Sequence, residues 1–422
     1  MDVGLAYGRT GLNISLPDAA GVTVVEPKHL PGLPHPQAAL ENALRKPIES
    51  PPLRDLVGPG DRIAIAFSDI TRPTPNRVIL PVLIEELTRN GGRDIVLFNG
   101  TGTHRANTDD ELRAMLGDEI VDRYPIVQND AHHRQSHKLV GATEAGNDIW
   151  LHRDFVNCHV RILTGFIEPH FFAGFSGGGK AVMPGLALLE TVMRNHGPQH
   201  IDCPAATWGI RDGNPLWEEI RQAARMVAPS FLLNVTLNRD HDITGIFAGH
   251  WEEAHARGCA FVKDTAMVPL DMPFDIVITS NSGYPLDLNL YQSVKGMSAA
   301  AQVVKDGGSI ILAADCWDGI PDHGGYGQLL LEADSVGSLL KTVRQPGLGR
   351  QDSWQAHTQG LVLEKAQVYI HSHNLSDEQI TNALLSPCPD IEMKVNELLT
   401  TAGPRPTLCV LPEGPQTIPY IR

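Results

Sequence analysis

The sequence predicts an α/β protein of two domains with largely parallel, Rossmann-like sheets. Three observations predict this fold class. The 422 residues exceed the roughly 50–250 residues of a typical domain, which favours more than one core. Short continuous apolar runs, such as 62–67 and 274–280, are typical of strands buried on both faces. Loops and helical patterns alternate with these runs, in the order of a doubly wound parallel sheet.

The first domain contains the strand, loop and helix repeat in its clearest form. Residues 62–67 are a predicted strand, and a predicted amphipathic helix opens at Pro75 and Asn76 and runs to Leu87. The next strand is 94–98, and the helix after it opens on a capping box, Thr108 to Glu111. The other predicted elements are an antiparallel pair in 1–20, a helix at 36–46, an antiparallel extension at 119–150, strands at 159–166 and 231–238, and a helix at 249–267.

A second domain is predicted to begin at 268, where Pro269 and Pro273 interrupt the chain. Its predicted strands are 274–280, 307–316 and 367–373, with a helix after the loop that follows 280 and further helices at 376–385 and 390–401. The last strand, 407–414, is expected to pack back on the first domain. The predicted domains are therefore 1–267, joined by 405–422, and 268–404.

Composition and charge exclude several classes of protein. A net charge of −15 with no basic cluster argues against a nucleic-acid partner. No run reaches the ~18–20 apolar residues of a membrane span. The N-terminus lacks the basic start and apolar core of a signal peptide. Six widely spaced cysteines, none in a C-x-x-C pair, fit reduced thiols. We therefore expect a cytoplasmic protein with no membrane partner.

Polar side chains follow three of the buried strands. Asp69 and Arg72 follow 62–67, His104 follows 94–98, and His170 follows 159–166. Because ligands bind at the carboxyl ends of strands in open α/β sheets, these groups are expected to line one cavity. Each residue alone also has a structural interpretation: Asp69 as a turn cap, Arg72 as a surface residue, and either histidine as a satisfied structural one.

A further contribution is predicted from a helix of the second domain. Lys295 lies four residues after Tyr291 and three after Gln292, so these side chains can share one helical face. Arg72 and Lys295 together suit a carboxylate, since arginine supplies a planar fork and lysine a point charge. The structural interpretation is a solvated lysine on a surface helix.

The segment 163–200 is the densest in candidate groups. Four glycines, at 174, 177, 178 and 179, precede Lys180, and a helical stretch then leads to His196. Glycine is used where chain or ligand approaches closely, so a ligand against this loop is expected. The pattern matches the first part of a phosphate-binding loop, but Ala181 stands where such loops need Ser or Thr for magnesium, which argues against a nucleotide hydrolase. A phosphate held by backbone N–H groups stays open.

Two histidine pairs raise the alternative of a zinc hydrolase. His133 and His137 are four residues apart, and His371 and His373 alternate on a predicted strand. Either pair could bind zinc, but the sequence shows no evident third ligand for either of them.

Four ordered motifs strongly resemble the nickel-dependent lactate racemase family. They are SDITRPTPN at 68–76, GTGTHR at 100–105, EPHFFAGFSGGGKAVMPG at 168–185 with His196 beyond it, and YQSVKG at 291–296. The resemblance is spread through most of the chain and is weakest between 200 and 270 and after 310. As an ordered set the four motifs are specific, whereas any one alone is weak.

The resemblance implies a two-domain α/β enzyme with its active site in the cleft between a cofactor-binding N-terminal domain and a substrate-capping C-terminal domain. The implied cofactor is a nickel-pincer nucleotide, a pyridinium bearing sulfur groups, covalently attached to Lys180, accommodated by Gly177, Gly178 and Gly179, and with its Ni(II) bound by His196. His104 and His170 are the implied acid/base pair. The implied substrate-binding residues are Asp69, Arg72, Tyr291, Gln292 and Lys295.

The implied reaction is racemisation or epimerisation of a 2-hydroxy acid through a 2-keto acid. Moving the hydrogen as hydride avoids a carbanion, and histidine suits proton transfer in both directions. Lactate, longer aliphatic or aromatic hydroxy acids and sugar acids all fit this class. The implied partners are this small substrate and the proteins that make and insert the cofactor. A non-catalytic protein that binds the cofactor or a hydroxy acid is the rival hypothesis, and it needs only one of the two histidines.

Overall fold

The structure is a computed structural model and describes residues 1–17, 21–26, 28–89, 91–322, 324–347 and 349–422. Its strands are β1 Asp2–Leu5, β2 Leu12–Ser15, β3 Gly21–Val24, β4 Arg62–Ser68, β5 Asp94–Gly100, β6 Ile126–Gln128, β7 His137–Ala142, β8 Asp148–His152, β9 Val160–Phe166, β10 Pro169–His170, β11 Gly174–Phe175, β12 Phe231–Leu237, β13 Ile243–Gly249, β14 Met267–Leu270, β15 Phe274–Ser280, β16 Val304–Ala313, β17 Gln367–His371, β18 Ser386–Pro387, β19 Thr407–Leu411 and β20 Ile418–Ile421.

The helices alternate with these strands. They are α1 Pro36–Arg45, α2 Asn76–Arg89, α3 Asp109–Leu116, α4 Asp118–Arg123, α5 Arg153–Val156, α6 Leu189–Asn195, α7 Pro198–Ile201, α8 Pro215–Val227, α9 Trp251–Ala266, α10 Leu290–Ala301, α11 Tyr326–Leu331, α12 Val336–Val343, α13 Ser353–Lys365, α14 Asp377–Asn382 and α15 Ile391–Thr401. None of the helices within the described residues is both long and apolar enough to cross a membrane.

The chain forms two compact units, each built on a six-stranded sheet. The first unit contains His29–His196 and Ala205–Lys263, and the second contains Met1–Lys28, Gly197–Pro204 and Asp264–Arg422. The α/β class with large parallel sheets predicted from the sequence is thus confirmed.

The sheet of the first unit has the order β13-β12-β9-β4-β5-β6, and every neighbouring pair is parallel except β12 with β13. Along β4 the side chains alternate between two buried faces. Ile63, Ile65 and Phe67 lie in an aliphatic core with α1 and α2. The residues between them, Ala64 and Ala66, are also fully buried. Burial on both faces explains why the sequence of this strand is one continuous apolar run.

The sheet of the second unit is parallel throughout, in the order β18-β17-β16-β15-β19-β3. Alternate residues of β15 enter two separate cores. Val277 packs with residues of α10, α12 and α13, whereas Ile276 and Ile278 pack with residues of β1, β2 and α15. Two covered faces again require apolar residues at every position of the central strands.

The expectation that 405–422 joins the first domain is wrong. β19 pairs with β15 and β3, both in the second unit, and β20 pairs with β14 of the same unit. An apolar strand sequence records burial on both faces but not which sheet supplies its neighbours. The second unit also includes the N-terminal strands and the short segment Gly197–Pro204.

Some of the helices and strands predicted from the sequence are present in the structure, and other elements of the structure were not predicted. The antiparallel pair in 1–20 is β1 with β2, and residues 18–20 lie outside the described residues. The capping box of Thr108 and Glu111 is formed with both hydrogen bonds. The extension at 119–150 is antiparallel only in β7 and β8, because 118–123 is helical and β6 adds to the parallel sheet. Several elements have no predicted counterpart, among them β13, α8, α11, α12 and α13.

Candidate functional site

The strand order of the first unit brings the predicted polar groups to one edge. β4 lies between β9 and β5, so the carboxyl ends of these three strands are adjacent. The chain moves from β4 to β5 on one side and later to β9 on the other, which makes β4 the topological switch point. Open parallel sheets bind ligands at such a point. Asp69, His104 and His170 come from the three adjacent strand ends.

Asp69 and His104 form a close pair at this edge. His104 Nδ1 lies 2.8 Å from Asp69 Oδ2, and Thr71 Oγ1 donates to Asp69 Oδ1 at 2.7 Å. The Asp69 side chain is 5% exposed, whereas the His104 side chain is 46% exposed. Burial raises the pKa of Asp69, but the His104 hydrogen bond and charge, the Thr71 hydroxyl and the Arg72 guanidinium together hold it below its ordinary value of 3.8.

The pair changes the role expected of Asp69. Both carboxylate oxygens are already bonded within the protein, one to Thr71 and one to His104. A buried carboxylate behind an imidazole holds the ring in one tautomer and leaves the far nitrogen for chemistry. These contacts suit an orienting role for Asp69, whereas the resemblance implies that it binds substrate.

Arg72 follows β4 and forms an ion pair with Glu168, which follows β9. Its Nη1 is 3.5 Å from Glu168 Oε1, with about a quarter of the Arg72 side chain exposed. Its backbone N–H donates to the Asp69 carbonyl in the turn after β4. The guanidinium is therefore held at the strand ends with part of its surface accessible to an anion.

Phe172 is the common contact of three predicted site residues. Its ring centroid lies 4.6 Å from that of His170 and 5.0 Å from that of His196, and Lys180 Nζ lies 5.9 Å from it. His170 also stacks on Phe171, with centroids 4.9 Å apart and planes at 23°. The structure therefore brings His170, Lys180 and His196 together around one buried aromatic ring.

Two hydrogen-bonding links connect the His104 loop to the Lys180 segment. The Gly102 N–H donates to the Gly185 carbonyl at 3.0 Å. Buried Asn129 donates weakly to the carbonyls of Gly102 and Ala187, and the Thr101 hydroxyl donates to the Asn129 carbonyl at 2.7 Å. These bonds fix the position of the loop before His104 relative to the turn that follows Lys180.

The glycines before Lys180 are required by the packing of the protein itself. A Cβ at Gly174 would overlap the Ile210 carbonyl, and one at Gly177 would lie 2.7 Å from Asn234 Oδ1. At Gly178 it would lie 2.6 Å from the His255 ring. The Gly178 N–H also donates to Asn234 Oδ1 at 2.8 Å, so this donor is not available to a phosphate. A ligand is therefore not required to explain these glycines, although the sequence alone favours one as the reason.

Replacing Gly174 with alanine is expected to destabilise the protein by about 3–4 kcal/mol. The cost combines overpacking against the Ile210 carbonyl with the strain of an alanine at φ +77°. Gly213 has φ +79° with no atom within 4 Å of the added Cβ, so Gly213→Ala should cost only about 1–2 kcal/mol. Urea unfolding of the two variants measures the difference, and equal losses would contradict the packing argument.

The end of α6, where His196 lies, is held by a buried carboxylate on α8 that bonds to Asn195. His196 caps the helix and is 8% exposed. The preceding residue, Asn195, donates from Nδ2 to Glu219 Oε2 at 3.0 Å and to the Leu216 carbonyl at 3.2 Å. Glu219 also accepts from Thr143 and Asn147. The hydrogen bonds to this buried carboxylate hold Asn195 in place, because a buried donor that lost its acceptor would be left unsatisfied.

His255 of α9 lies directly against the glycine loop. Its Nε2 donates to the Ser176 carbonyl at 2.9 Å, and its ring stacks on Trp217 with centroids 4.8 Å apart. Complete burial lowers the pKa of His255 to about 4, and the positive charges of Arg211 and Lys180 add to this. In the folded protein the His255 ring is therefore neutral at pH values well above 4.

The free energy of unfolding is expected to fall between about pH 6.5 and 4 through His255. Below its ordinary pKa of 6.5 the unfolded chain binds a proton that the folded protein does not, and this favours unfolding by up to about 3 kcal/mol. His255→Gln keeps a donor for Ser176 and should remove this part of the pH dependence, whereas substitution of exposed His132 should leave it intact. Urea midpoints at pH 7 and pH 5 measure this, and an unchanged dependence in His255→Gln would refute it.

The predicted face of α10 forms within the second unit. Lys295 Nζ donates to Gln292 Oε1 at 2.8 Å, as the three-residue spacing predicts. Tyr291 donates from its hydroxyl to Asp352 Oδ1 at 3.3 Å and packs edge-on against Tyr326. Asp352 precedes α13 in the left-handed conformation, at φ +66°. The start of α13 therefore fixes the orientation of Tyr291.

The histidine pairs give no zinc site within the described ranges. No three His, Cys, Asp or Glu side chains among those residues group as metal ligands. His137 is buried and hydrogen-bonds to Asn129, and His371 bonds through Nδ1 to the Cys388 carbonyl. The zinc hydrolase alternative is therefore not supported.

Sequence reasoning missed residues that act through packing. Phe172, Asn129, Glu219 and Asn234 organise the site, but each lies far in sequence from at least one of its partners. Thr71 lies inside a motif that the sequence singled out, and its i+2 spacing from Asp69 is the one available signal.

Two family models match the chain. The model of the lactate racemase N-terminal domain matches residues 7–209, and that of the lactate racemase C-terminal domain matches residues 270–418. The chain is 34% identical to a lactate racemase of Thermoanaerobacterium thermosaccharolyticum over 426 residues, covering 99% of each chain. It is 36% identical to a lactate racemase of Lactiplantibacillus plantarum over 381 residues, covering 90% of this chain and 89% of the relative.

Solved structures give the same likeness. The lactate racemase apoprotein of T. thermosaccharolyticum superposes with a TM-score of 0.92 over all of both chains, at 33% identity. A crystal structure of a Thermotoga maritima protein superposes with a TM-score of 0.68, covering 92% of this chain and 98% of that one, at 18% identity. The second likeness supports the fold alone.

Proposed function

Because this chain belongs to the lactate racemase family and is an isomerase of the racemase type, we propose that it inverts the hydroxyl-bearing carbon of a small 2-hydroxy acid. The proposed route moves the hydrogen of that carbon as hydride and passes through a planar 2-keto acid. Both curated relatives are named lactate racemases, so lactate is the first substrate to test.

The observation that carries the proposal is the grouping of charged and aromatic residues at the switch point. The Asp69–His104 pair lies at the end of β4 and β5, and His170, Lys180 and His196 contact Phe172 beyond β9. Two histidines from the strand ends on either side of β4 suit a reaction in which two enantiomers present their hydroxyl groups on opposite sides. A protein that only bound a ligand would need one of them.

The residues present fit a nickel-pincer nucleotide attached to Lys180. Lys180 lies on a short 3₁₀ turn, Gly178–Ala181, beside the ring of Phe172, which offers an aromatic surface to a flat pyridinium. The N–H groups of Gly177 and Gly179 stay candidates for a phosphate, whereas that of Gly178 is taken by Asn234. When bound, such a cofactor would supply the reversible acceptance of a hydride that the proposed reaction needs.

His196 is proposed as the protein ligand of the nickel. An imidazole would suit Ni(II) as a protein ligand beside the sulfur groups of such a cofactor. Its ring packs edge-on against Phe172, and Glu219 fixes the helix end that carries it through Asn195. Ordered supporting contacts of this kind position a metal ligand.

The substrate carboxylate is proposed to bind to positive and polar groups. Arg72 supplies a fork that is partly exposed, and Tyr291, Gln292 and Lys295 are the candidates from α10. We assign cofactor binding to the first unit and substrate contacts of α10 to the second. Loading of the cofactor requires proteins that synthesise and insert it.

A chiral substrate screen tests the proposal. The protein is produced together with the cofactor-synthesis proteins and incubated with single enantiomers of lactate, longer and aromatic 2-hydroxy acids, and sugar acids. Chiral chromatography should show the opposite enantiomer or epimer of one of them, without added NAD. Tight binding of a hydroxy acid with no inversion of any would instead support the non-catalytic binding protein.

A further inference from the structure

We infer that His104 and His170 carry their protons on opposite ring nitrogens in the resting protein, His104 on Nδ1 and His170 on Nε2. The inference rests on the proposed function, because it concerns the two histidines proposed to act on the substrate hydroxyl. It gives the two groups different resting states: His104 has a lone pair at Nε2, and His170 has an N–H there.

The tautomer of His104 follows from its acceptor. Nδ1 lies 2.8 Å from Asp69 Oδ2, and the low pKa of Asp69 keeps this carboxyl group ionised. An ionised carboxylate only accepts hydrogen bonds, so Nδ1 must carry the hydrogen. The neutral ring then has its lone pair on Nε2, the nitrogen turned away from Asp69.

The tautomer of His170 follows from two donors. The backbone N–H groups of Ala173 and Phe172 both point at His170 Nδ1, at 3.2 and 3.5 Å. A ring nitrogen that accepts an N–H carries no hydrogen, so the proton of the neutral ring is on Nε2.

The turn around His170 leaves little freedom to change this arrangement. His170 pairs with Gly174 in a tight antiparallel bridge, and Gly174 lies against the Ile210 carbonyl. The ring stacks on Phe171 and meets Phe172 edge-on. His170 is 6% exposed, so rotating the ring would also leave two buried backbone N–H groups without this acceptor.

The difference in tautomer determines which of the two histidines can accept a proton in the resting protein. A hydroxyl proton that moves to His104 Nε2 gives an imidazolium whose Nδ1–H still bonds to the Asp69 carboxylate. At His170, loss of the Nε2 proton would leave an anion, and a second proton would have to enter at Nδ1 against two donors. Resting His170 is therefore a fixed donor that polarises the substrate oxygen, a role that a neutral imidazole can fill.

A direct consequence concerns the two enantiomers. The resting protein is set for the enantiomer whose hydroxyl meets His104. On the other face, His170 must return a proton from Nε2 after reaction of the first enantiomer and accept one there from the second. Both steps require Nδ1 to carry a hydrogen, because only then does Nε2 give up a proton without leaving an anion or present a lone pair, so the turn 170–174 must release Nδ1. The turn thereby becomes a positioning element of the reaction.

Nitrogen NMR of the full-length, unloaded protein tests the tautomers directly. Histidine is labelled with ¹⁵N at both ring positions, and long-range proton–nitrogen spectra are recorded at a pH where the rings are neutral. Signals are assigned by their loss in His104→Gln and His170→Gln. The expected result is a protonated Nδ1 in His104 and a protonated Nε2 in His170. The same tautomer in both rings, or a protonated Nδ1 in His170, overturns the inference.

Asp69→Asn provides a matched control. Thr71 donates its hydroxyl hydrogen to Oδ1 of residue 69, so the amide nitrogen of asparagine would face His104 and donate to Nδ1. His104 should therefore switch to the Nε2–H tautomer, as expected when an amide replaces the orienting carboxylate, while His170 keeps its pattern. An unchanged His104, or a change in His170, counts against the assignment.

The outcome is separate from that of the proposed function. Loaded protein that inverts no hydroxy acid would refute the racemase proposal and leave the two tautomers as measured. Racemase activity together with identical tautomers would refute this inference alone.

Discussion

Lys180→Arg is expected to abolish racemase activity and to leave the protein at its unmodified mass. Arginine keeps the positive charge and its place beside Phe172, but it has no amine that could form the covalent bond to the cofactor. Because a cofactor that accepts hydride supplies the difficult step, its loss removes on the order of the full catalytic enhancement, 10⁶-fold or more. Intact-mass spectrometry and chiral chromatography on protein made with the cofactor-synthesis proteins measure both effects.

The matched control is Lys138→Arg. Lys138 lies on β7 and bonds to Asn157, and its replacement should change neither the adduct nor the rate. An adduct that persists in Lys180→Arg, or activity in protein whose Lys180 is unmodified, would refute the attachment site.

Asp69→Asn is expected to lower kcat by about 10³–10⁴-fold with little change in KM. The substitution keeps the shape of the side chain but presents an N–H to His104 Nδ1, so Nε2 becomes protonated and cannot accept the hydroxyl proton. His104→Gln removes the same base and should lower kcat by about 10²–10⁴-fold. Steady-state kinetics of both loaded variants, from each enantiomer, measure these losses.

The split between kcat and KM distinguishes the two roles considered for Asp69. Replacing a carboxylate that binds the substrate would mainly raise KM. Replacing one that orients His104 would mainly lower kcat. Thr71→Val removes one hydrogen bond to Asp69 but leaves the carboxylate facing His104, so its effect should be much smaller. A raised KM with normal kcat in Asp69→Asn would restore the interpretation that the sequence favoured.

Local signals in the sequence predicted the strands that carry the site. The apolar runs at 62–67, 94–98 and 159–166 correspond to β4, β5 and β9, because strands covered on both faces need apolar residues at every position. The rule that ligands bind at the carboxyl ends of parallel strands pointed to Asp69, His104 and His170, and the structure places these residues after three adjacent strands. Neither step required knowledge of distant contacts.

Features set by long-range contacts could not be predicted in this way. β19 has the same apolar pattern whichever sheet receives it, and only its pairing with β15 and β3 assigns it to the second unit. The segment Gly197–Pro204 is anchored there by Asp202, which bonds to His357 and Arg344. Those partners lie more than a hundred residues away, so no local pattern records the connection.

The glycine loop shows the same limit within the site. Its glycine density was attributed to a ligand, yet the close neighbours are Ile210, Asn234 and His255. Phe172, which contacts three of the predicted residues, looks in sequence like any apolar residue in a buried segment. Residues that bind a substrate and residues that hold the binding residues in place differ in their contacts, and contacts appear only in the folded chain.

Hydrogen retention at the inverted carbon tests the central claim most directly. Loaded protein is incubated with one enantiomer of its hydroxy acid in ²H₂O, and the opposite enantiomer is isolated and analysed by mass spectrometry. Removal and return of a hydride predicts a product without deuterium at that carbon, because the hydrogen never exchanges with water. Incorporation of one solvent deuterium per inversion would show proton abstraction from carbon and would contradict the account.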